Sequence, residues 1–143
     1  MIDLSDDPAR LNVPLIHAWL ASSYWTPGID RHQLERQIAG SHCLGAYADG
    51  AQMGFARAIS DRASFAWIAD VWVAEEARGQ GIGRRLVRWF LDHPDYAAVR
   101  RFALVTADAH GVYAELGFHA PLRPERYMER LSPGFAAQLR EVP

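Results

Sequence analysis

The strongest constraint on this chain is the apolar run FAWIADVWV, residues Phe65 to Val73, which leads through a short polar stretch into the glycine loop RGQGIG, Arg78 to Gly83. Beyond the loop, Ile82, Leu86, Trp89 and Phe90 recur on one helical face while Arg84, Arg85 and Arg88 fall off it. The spacing predicts a helix to about Asp92, stopping before Pro94. Phe102 to Val105 is a second uninterrupted apolar run. Strands this apolar belong to a sheet covered on both faces, and strand, helix and strand in so short a span predict a parallel pair with a right-handed crossover.

Upstream the pattern is antiparallel. His42 to Tyr47 and Met53 to Ile59 flank the hairpin signal Asp49-Gly50, and Asp61 to Ser64 supplies a second turn before Phe65. Two short helices are predicted ahead of this meander. Asn12 to Tyr24 carries Val13, Ile16, Trp19 and Leu20 at helical spacing, and Asp30 to Ala39 carries Leu34 and Ile38. Downstream, Ala109 to Leu116 reads as a short helix stopped by Gly117, and Arg126 to Leu131 as a last strand. The result is an α+β chain with a mixed sheet. With 143 residues and neither repeat nor linker, one domain over residues 1–143 is expected.

Composition narrows the partners. Half of the residues are hydrophobic and the net charge is -2, which argues against disorder and against a nucleic-acid partner. Cys43, the only cysteine, excludes an internal disulfide, and the six histidines show no metal-ligand spacing, so no metal is expected. Cys43 reads as a small buried hydrophobe and Arg57 as a structural cation reaching for Asp61 or Asp70. No run approaches the roughly 20 apolar residues of a membrane span, and the acidic start MIDLSDDPARL lacks the layout of a secretory signal. A cytoplasmic protein with no membrane partner is the expectation, acting on a small molecule or a peptide.

The glycine loop raises a question of charge. A helix N-terminus carries about half a positive charge and favours acidic residues, yet Arg84 and Arg85 occupy the first turn of this one. Glycines at 79, 81 and 83 leave the backbone uncovered, so loop amides and the free first turn can converge on one anion, with Arg78 and Arg84 beside it. The same glycines also suit a bare strand-to-helix turn with the arginines as a solvated face. Two familiar phosphate loops do not fit: position 84 is arginine where GxGxxG needs glycine, and no Gly-Lys-Ser/Thr follows.

RGQGIG does fit the R/Q-x-x-G-x-G/A signature for acetyl-CoA. With ADVWVAEEA before it and GVYAELGF after it, the chain resembles the GNAT family of N-acetyltransferases from roughly Leu44 to Phe118. The resemblance implies a three-layer fold. Its central sheet would be mixed and largely antiparallel, with six to seven strands splayed between the fourth and fifth and about four flanking helices. It also implies acetyl-CoA as co-substrate and an amine as acceptor. Backbone groups of Val71, Trp72 and Val73 would hold the pantetheine arm like an added strand, and Arg78, Gly79, Gln80, Gly81, Ile82, Gly83 and Arg84 the pyrophosphate. Thr106 stands where the family commonly has an asparagine on the cofactor arm, and its hydroxyl can donate and accept.

Acetyl transfer needs a neutral amine, a polarised thioester and a proton for the departing thiolate. The Val73 amide is placed to meet charge developing on the thioester oxygen. By periodicity alone Tyr113 reads as an aromatic on the buried face of a short helix; four residues before Gly117-Phe118, it matches the position of the family's general acid, and the resemblance implies that role. Asp70 is a candidate base, because burial strengthens a carboxylate's hold on a proton. Glu75 and Glu76 read as solvated loop residues, His110 as a polar residue at a helix start, and a water chain is a further route for the proton. In HAWLASSYW, Tyr24 and Trp25 are candidate acceptor contacts and Trp19 a core residue. A non-catalytic acyl-CoA-binding module on the same fold is the alternative function. An edge strand near the C-terminus would allow a homodimer.

Overall fold

The computed structural model describes residues 1–141. Five strands form one sheet in the order β1 (Asp3–Ser5), β2 (His42–Ala48), β3 (Ala51–Ser60), β4 (Phe65–Val73) and β5 (Arg101–Ala103). All neighbours are antiparallel except β4 and β5. Around it lie helices α1 (Val13–Ala21), α2 (Arg31–Ala39), α3 (Ile82–Asp92), α4 (His110–Ala114) and α5 (Pro133–Glu141). None of these helices is long and apolar enough to cross a membrane.

Side-chain alternation along the strands builds three layers. Cys43 and Phe55 point to one face and pack with Ile16, Leu20 and Leu34 of α1 and α2. Leu44, Ala46, Ala56 and Ala58 point to the other, where Leu86, Val87 and Phe90 of α3 close over them. Burying each of those large α3 side chains contributes about 1.5–3 kcal/mol. The small residues beneath set how near α3 can come. A Cβ on Gly54 would lie 3.2 Å from the Leu86 side chain and 3.2 Å from the Trp72 carbonyl oxygen. Gly54→Val should therefore overpack this layer and lower stability by about 1–3 kcal/mol. A chemical melt would show a lower midpoint at unchanged slope.

Several sequence expectations change at element ends. The sheet has five strands rather than six to seven, and five α-helices rather than about four flank it. Helix α1 stops at Ala21, short of Tyr24, because the hydroxyls of Ser22 and Ser23 donate to the Trp19 and Leu20 carbonyls at 2.7 Å each and compete for the last turn. The strand expected at Arg126 to Leu131 does not form: Arg126 closes a 3-10 turn, and the following residues pair with no strand. Its sequence, RYMERL, lacks period-two alternation, and Tyr127 and Met128 are exposed. The C-terminal edge strand expected to pair with a second copy is thus absent from the described residues. The Asp49-Gly50 hairpin forms as expected, both residues at positive φ, 51° and 80°, as a type I′ turn requires.

Two features of β4 shape the site. Its parallel pairing with β5 lasts from Phe65/Arg101 to Trp67/Ala103, so from Ile68 onward that edge of β4 has no strand beside it. Opposite Ala56 the register with β3 slips at Asp70-Val71, a bulge in which Asp70 adopts φ 55°. A bulge bends and twists its strand, and this one lies just past the point where the pairing of β4 with β5 ends. The expected splay between the fourth and fifth strands is this opening.

Candidate active site

At the open end of β4 the chain turns through a 3-10 segment, Glu75–Ala77, into the glycine loop. Gly79 and Gly81 sit at φ 82° and 77°, and Gly81 is the N-cap of α3 with no side-chain cap. No residue from 79 to 84 donates its backbone N–H to an acceptor among the described residues. Unpaired amides in a glycine loop at a helix N-terminus are donors of the kind that suit phosphate oxygens. Gly83 lies against the Val73 side chain, where an added Cβ would stand 3.7 Å away, so the loop and the end of β4 share one surface.

The arginines are held by neighbours. Arg84 Nε donates to Glu115 Oε2 at 2.6 Å, and Arg85 donates to the Ile2 carbonyl at 3.2 Å. The positive first turn of α3 is thereby tied to the C-terminal end of α4, a pairing that no local sequence pattern signals. Arg78 Nε donates to the Val73 carbonyl at 3.1 Å, and its guanidinium lies 5.3 Å from the Trp72 ring centroid. On the β5 side of the opening, Val71, Trp72 and Val73 face no strand.

Across the opening, Thr106 Oγ1 accepts from the Ala109 amide at 3.0 Å, which fixes the start of α4 and leaves the hydroxyl proton free. Tyr113 on α4 is half-buried, its ring edge-on to Phe118 at 5.9 Å. Burial, then the neighbouring Tyr24 and Asp108, raises its phenol above the ordinary tyrosine value. Tyr24 reaches this side too, its hydroxyl accepting from the Ala107 amide at 3.0 Å. Trp25 packs edge-on to Tyr24 at 5.0 Å and tilted on Trp72 at 5.9 Å. His110 is exposed.

Asp70 is not placed as a free base. Its Oδ2 accepts from Arg57 Nε at 2.6 Å and its Oδ1 from Trp25 Nε1 at 2.8 Å, with the side chains of Asp70 and Arg57 only 6% and 10% exposed. With each oxygen accepting from a buried partner, Asp70 sits as a paired carboxylate rather than a free one. Arg57 thus reaches Asp70 and not Asp61, whose oxygens accept from Ala63, Ser64 and Phe65 in its own turn. Glu75 and Glu76 are exposed.

Comparison with known proteins places the fold in a family. The family model for the acetyltransferase (GNAT) family matches residues 10–118. A crystal structure from Xanthomonas campestris pv. campestris, of a protein assigned to the GNAT acetyltransferases, is 43% identical, with TM-score 0.89 over 94% of this chain and 95% of that one. A Gibberella zeae protein named as an acetyltransferase is 28% identical over 73% of this chain and 71% of its own. At the level of fold alone, the chain is similar to N-acetylglutamate synthase from Neisseria gonorrhoeae, solved with coenzyme A and N-acetyl-glutamate. That likeness has 21% identity and TM-score 0.71, covering 98% of this chain and 32% of that one.

Proposed function

The chain belongs to the acetyltransferase (GNAT) family, and we propose that it moves an acetyl group from acetyl-CoA to a primary amine of a small molecule or peptide by direct attack in a ternary complex. The observation that carries this reading is the run of unpaired amides over residues 79–84 beside the open edge of β4. Gly79 and Gly81 are left-handed and nothing lies within 4 Å of a Cβ built on either, so the loop backbone is uncovered, which fits a diphosphate bridge. Bound there, acetyl-CoA supplies an activated acyl group on a thiol leaving group. The edge of β4 from Val71 to Val73, which no strand covers, receives the pantetheine arm, and Thr106 can donate to it. The Val73 amide meets charge developing on the thioester oxygen. Tyr113 holds a proton for the departing sulfur, and Tyr24 and Trp25 line the acceptor's approach. A lysine-like amine, with a pKa of about 10.4, must first lose a proton, and the engagement of Asp70 favours a water chain for that step.

Direct transfer is also supported by what the only thiol cannot do. Cys43 is buried between α2 and the sheet, and burial pushes its thiol up to about 12 despite the nearby Arg57. A thiol so seldom ionised is a poor nucleophile. Cys43→Ala should keep turnover within about twofold, and intact-protein mass after mixing with acetyl-CoA should show no acetyl adduct on the native chain. A buried, reduced thiol and dependence on acetyl-CoA suit a cytoplasmic protein.

The deciding experiment measures free thiol release from acetyl-CoA across a panel of small amines and peptides bearing free N-termini, beside calorimetric titration of coenzyme A. Turnover of any one class identifies the acceptor. Binding of coenzyme A with no turnover across the panel would favour the non-catalytic acyl-CoA module, and absence of binding would end both readings.

A further inference from the structure

Asp70 combines three things that ordinary strand residues lack. Its backbone is left-handed at φ 55° in mid-strand, its carboxylate is almost wholly buried, and both oxygens bond side chains from other elements. Aspartate tolerates left-handed backbone better than most residues, yet such conformations carry strain and persist where their surroundings hold them. A buried ion pair is also weak evidence for stability, because apolar replacements often do as well. The contacts show what the arrangement does hold. Behind Asp70, Arg57 donates from its Nη1 to Ser41 Oγ at 3.0 Å, and Ser41 donates to the Gln37 carbonyl of α2 at 2.6 Å. In front, Asp70 takes the Trp25 indole. The Trp25 carbonyl in turn accepts from Gln138 of α5 at 3.2 Å.

We propose that Asp70 is a positioning residue for the acceptor: backed by Arg57, it clamps Trp25 and so stretches residues 22–30 across the mouth of the β4–β5 opening. The loop is tied to both sides, by Trp25 to the bulge of β4 and by Tyr24 to the Ala107 amide beyond β5. Its aromatic wall of Tyr24, Trp25 and Trp72 then stands at a set distance from the thioester end, and Tyr24 is held as a neighbour of Tyr113. The assignment rests on the acetyl transfer proposed above and adds to it the group that orients the acceptor wall.

The test uses the full chain, Trp25→Phe, Asp70→Asn and the double variant, because phenylalanine keeps an aromatic ring without the indole N–H and asparagine keeps the left-handed backbone while losing the charge. With the amine that the panel identifies, each single variant should raise acceptor KM about tenfold while kcat changes less than about threefold and coenzyme A affinity stays within about twofold. The double variant should be no worse than the worse single by more than about twofold, since both changes release the same clamp. Unchanged acceptor KM in Trp25→Phe, or equal loss of coenzyme A affinity in every variant, would overturn the assignment. A second readout does not need turnover. The Trp25 indole N–H should exchange with solvent slowly in the native chain and at least about tenfold faster in Asp70→Asn, while that of Trp19 is unaltered. If no amine turns over, the acetyl-transfer reading fails by itself, and the clamp is judged on this exchange: a Trp25 indole that exchanges freely in the native chain sinks it.

Discussion

Gly81→Val is expected to weaken coenzyme A binding by about 100-fold or more while leaving the chain folded. At φ 77° a valine is held in the left-handed region, where L residues lose roughly 1–2 kcal/mol and β-branched ones fare worst. Space is not the obstacle, since nothing lies within 4 Å of a Cβ built there. The backbone must relax instead, and the relaxation reorients unpaired amides whose course is set by left-handed Gly79 and Gly81. Hydrogen bonds to a charged partner contribute about 1.5–3 kcal/mol each, so misaligning two of the six gives the stated loss. Gly50→Val is the matched control. Gly50 has φ 80° and equally open surroundings, but it sits at the tip of the β2–β3 hairpin. It should lower the melting temperature much as Gly81→Val does and bind coenzyme A like the native chain. Calorimetry on the three proteins separates strain from recognition, and native affinity in Gly81→Val would remove the diphosphate from this loop.

What could be read from sequence, and what could not, follows the range of the interactions. Helix α3 was legible because Ile82, Leu86 and Phe90 repeat over three turns against polar neighbours, and the hairpin because Asp-Gly selects a backbone that few pairs can adopt. The glycine loop was legible as a tight strand-to-helix turn from local rules alone, since Gly79 and Gly81 take the left-handed backbone that its spacing called for. The Arg84–Glu115 pair spans 31 residues and the Trp25–Asp70 bond 45, and no local rule says which carboxylate a given arginine or indole will meet. That is why Asp70, an acid in an apolar strand, read as a candidate base with no sign of the Arg57 and Trp25 partners that the fold brings to it. The same limit explains the edges of the sheet. β1 has three residues, too few to show a period, and exists because β2 offers a ladder, whereas the strand read at Phe102 to Val105 forms as β5 but runs only Arg101–Ala103.

Tyr113→Phe should lower kcat by about 100- to 1000-fold, within the range for loss of a general acid, with coenzyme A affinity changed less than about twofold. The phenyl ring retains the edge-on contact with Phe118, so packing is preserved and only the hydroxyl is lost. A phenol near 10 is a slightly weaker acid than a thiol near 8.5, and burial widens that gap by raising the Tyr113 phenol. The same burial makes a bare thiolate harder to release, so a donor at the sulfur gains in value as the site dries. The sign of the pH dependence follows. The active form of Tyr113 carries its proton, and a raised phenol keeps it through the neutral and mildly alkaline range. In the native enzyme kcat should stay level there and fall only as pH rises through the phenol's value above 10. The rise of kcat/KM at lower pH, set by deprotonation of the acceptor amine, should be the same in both proteins. In Tyr113→Phe the alkaline fall should vanish and kcat should be low throughout. If instead the variant turns over within about threefold of the native enzyme and keeps the alkaline fall, the thiolate takes its proton from water and another group titrates.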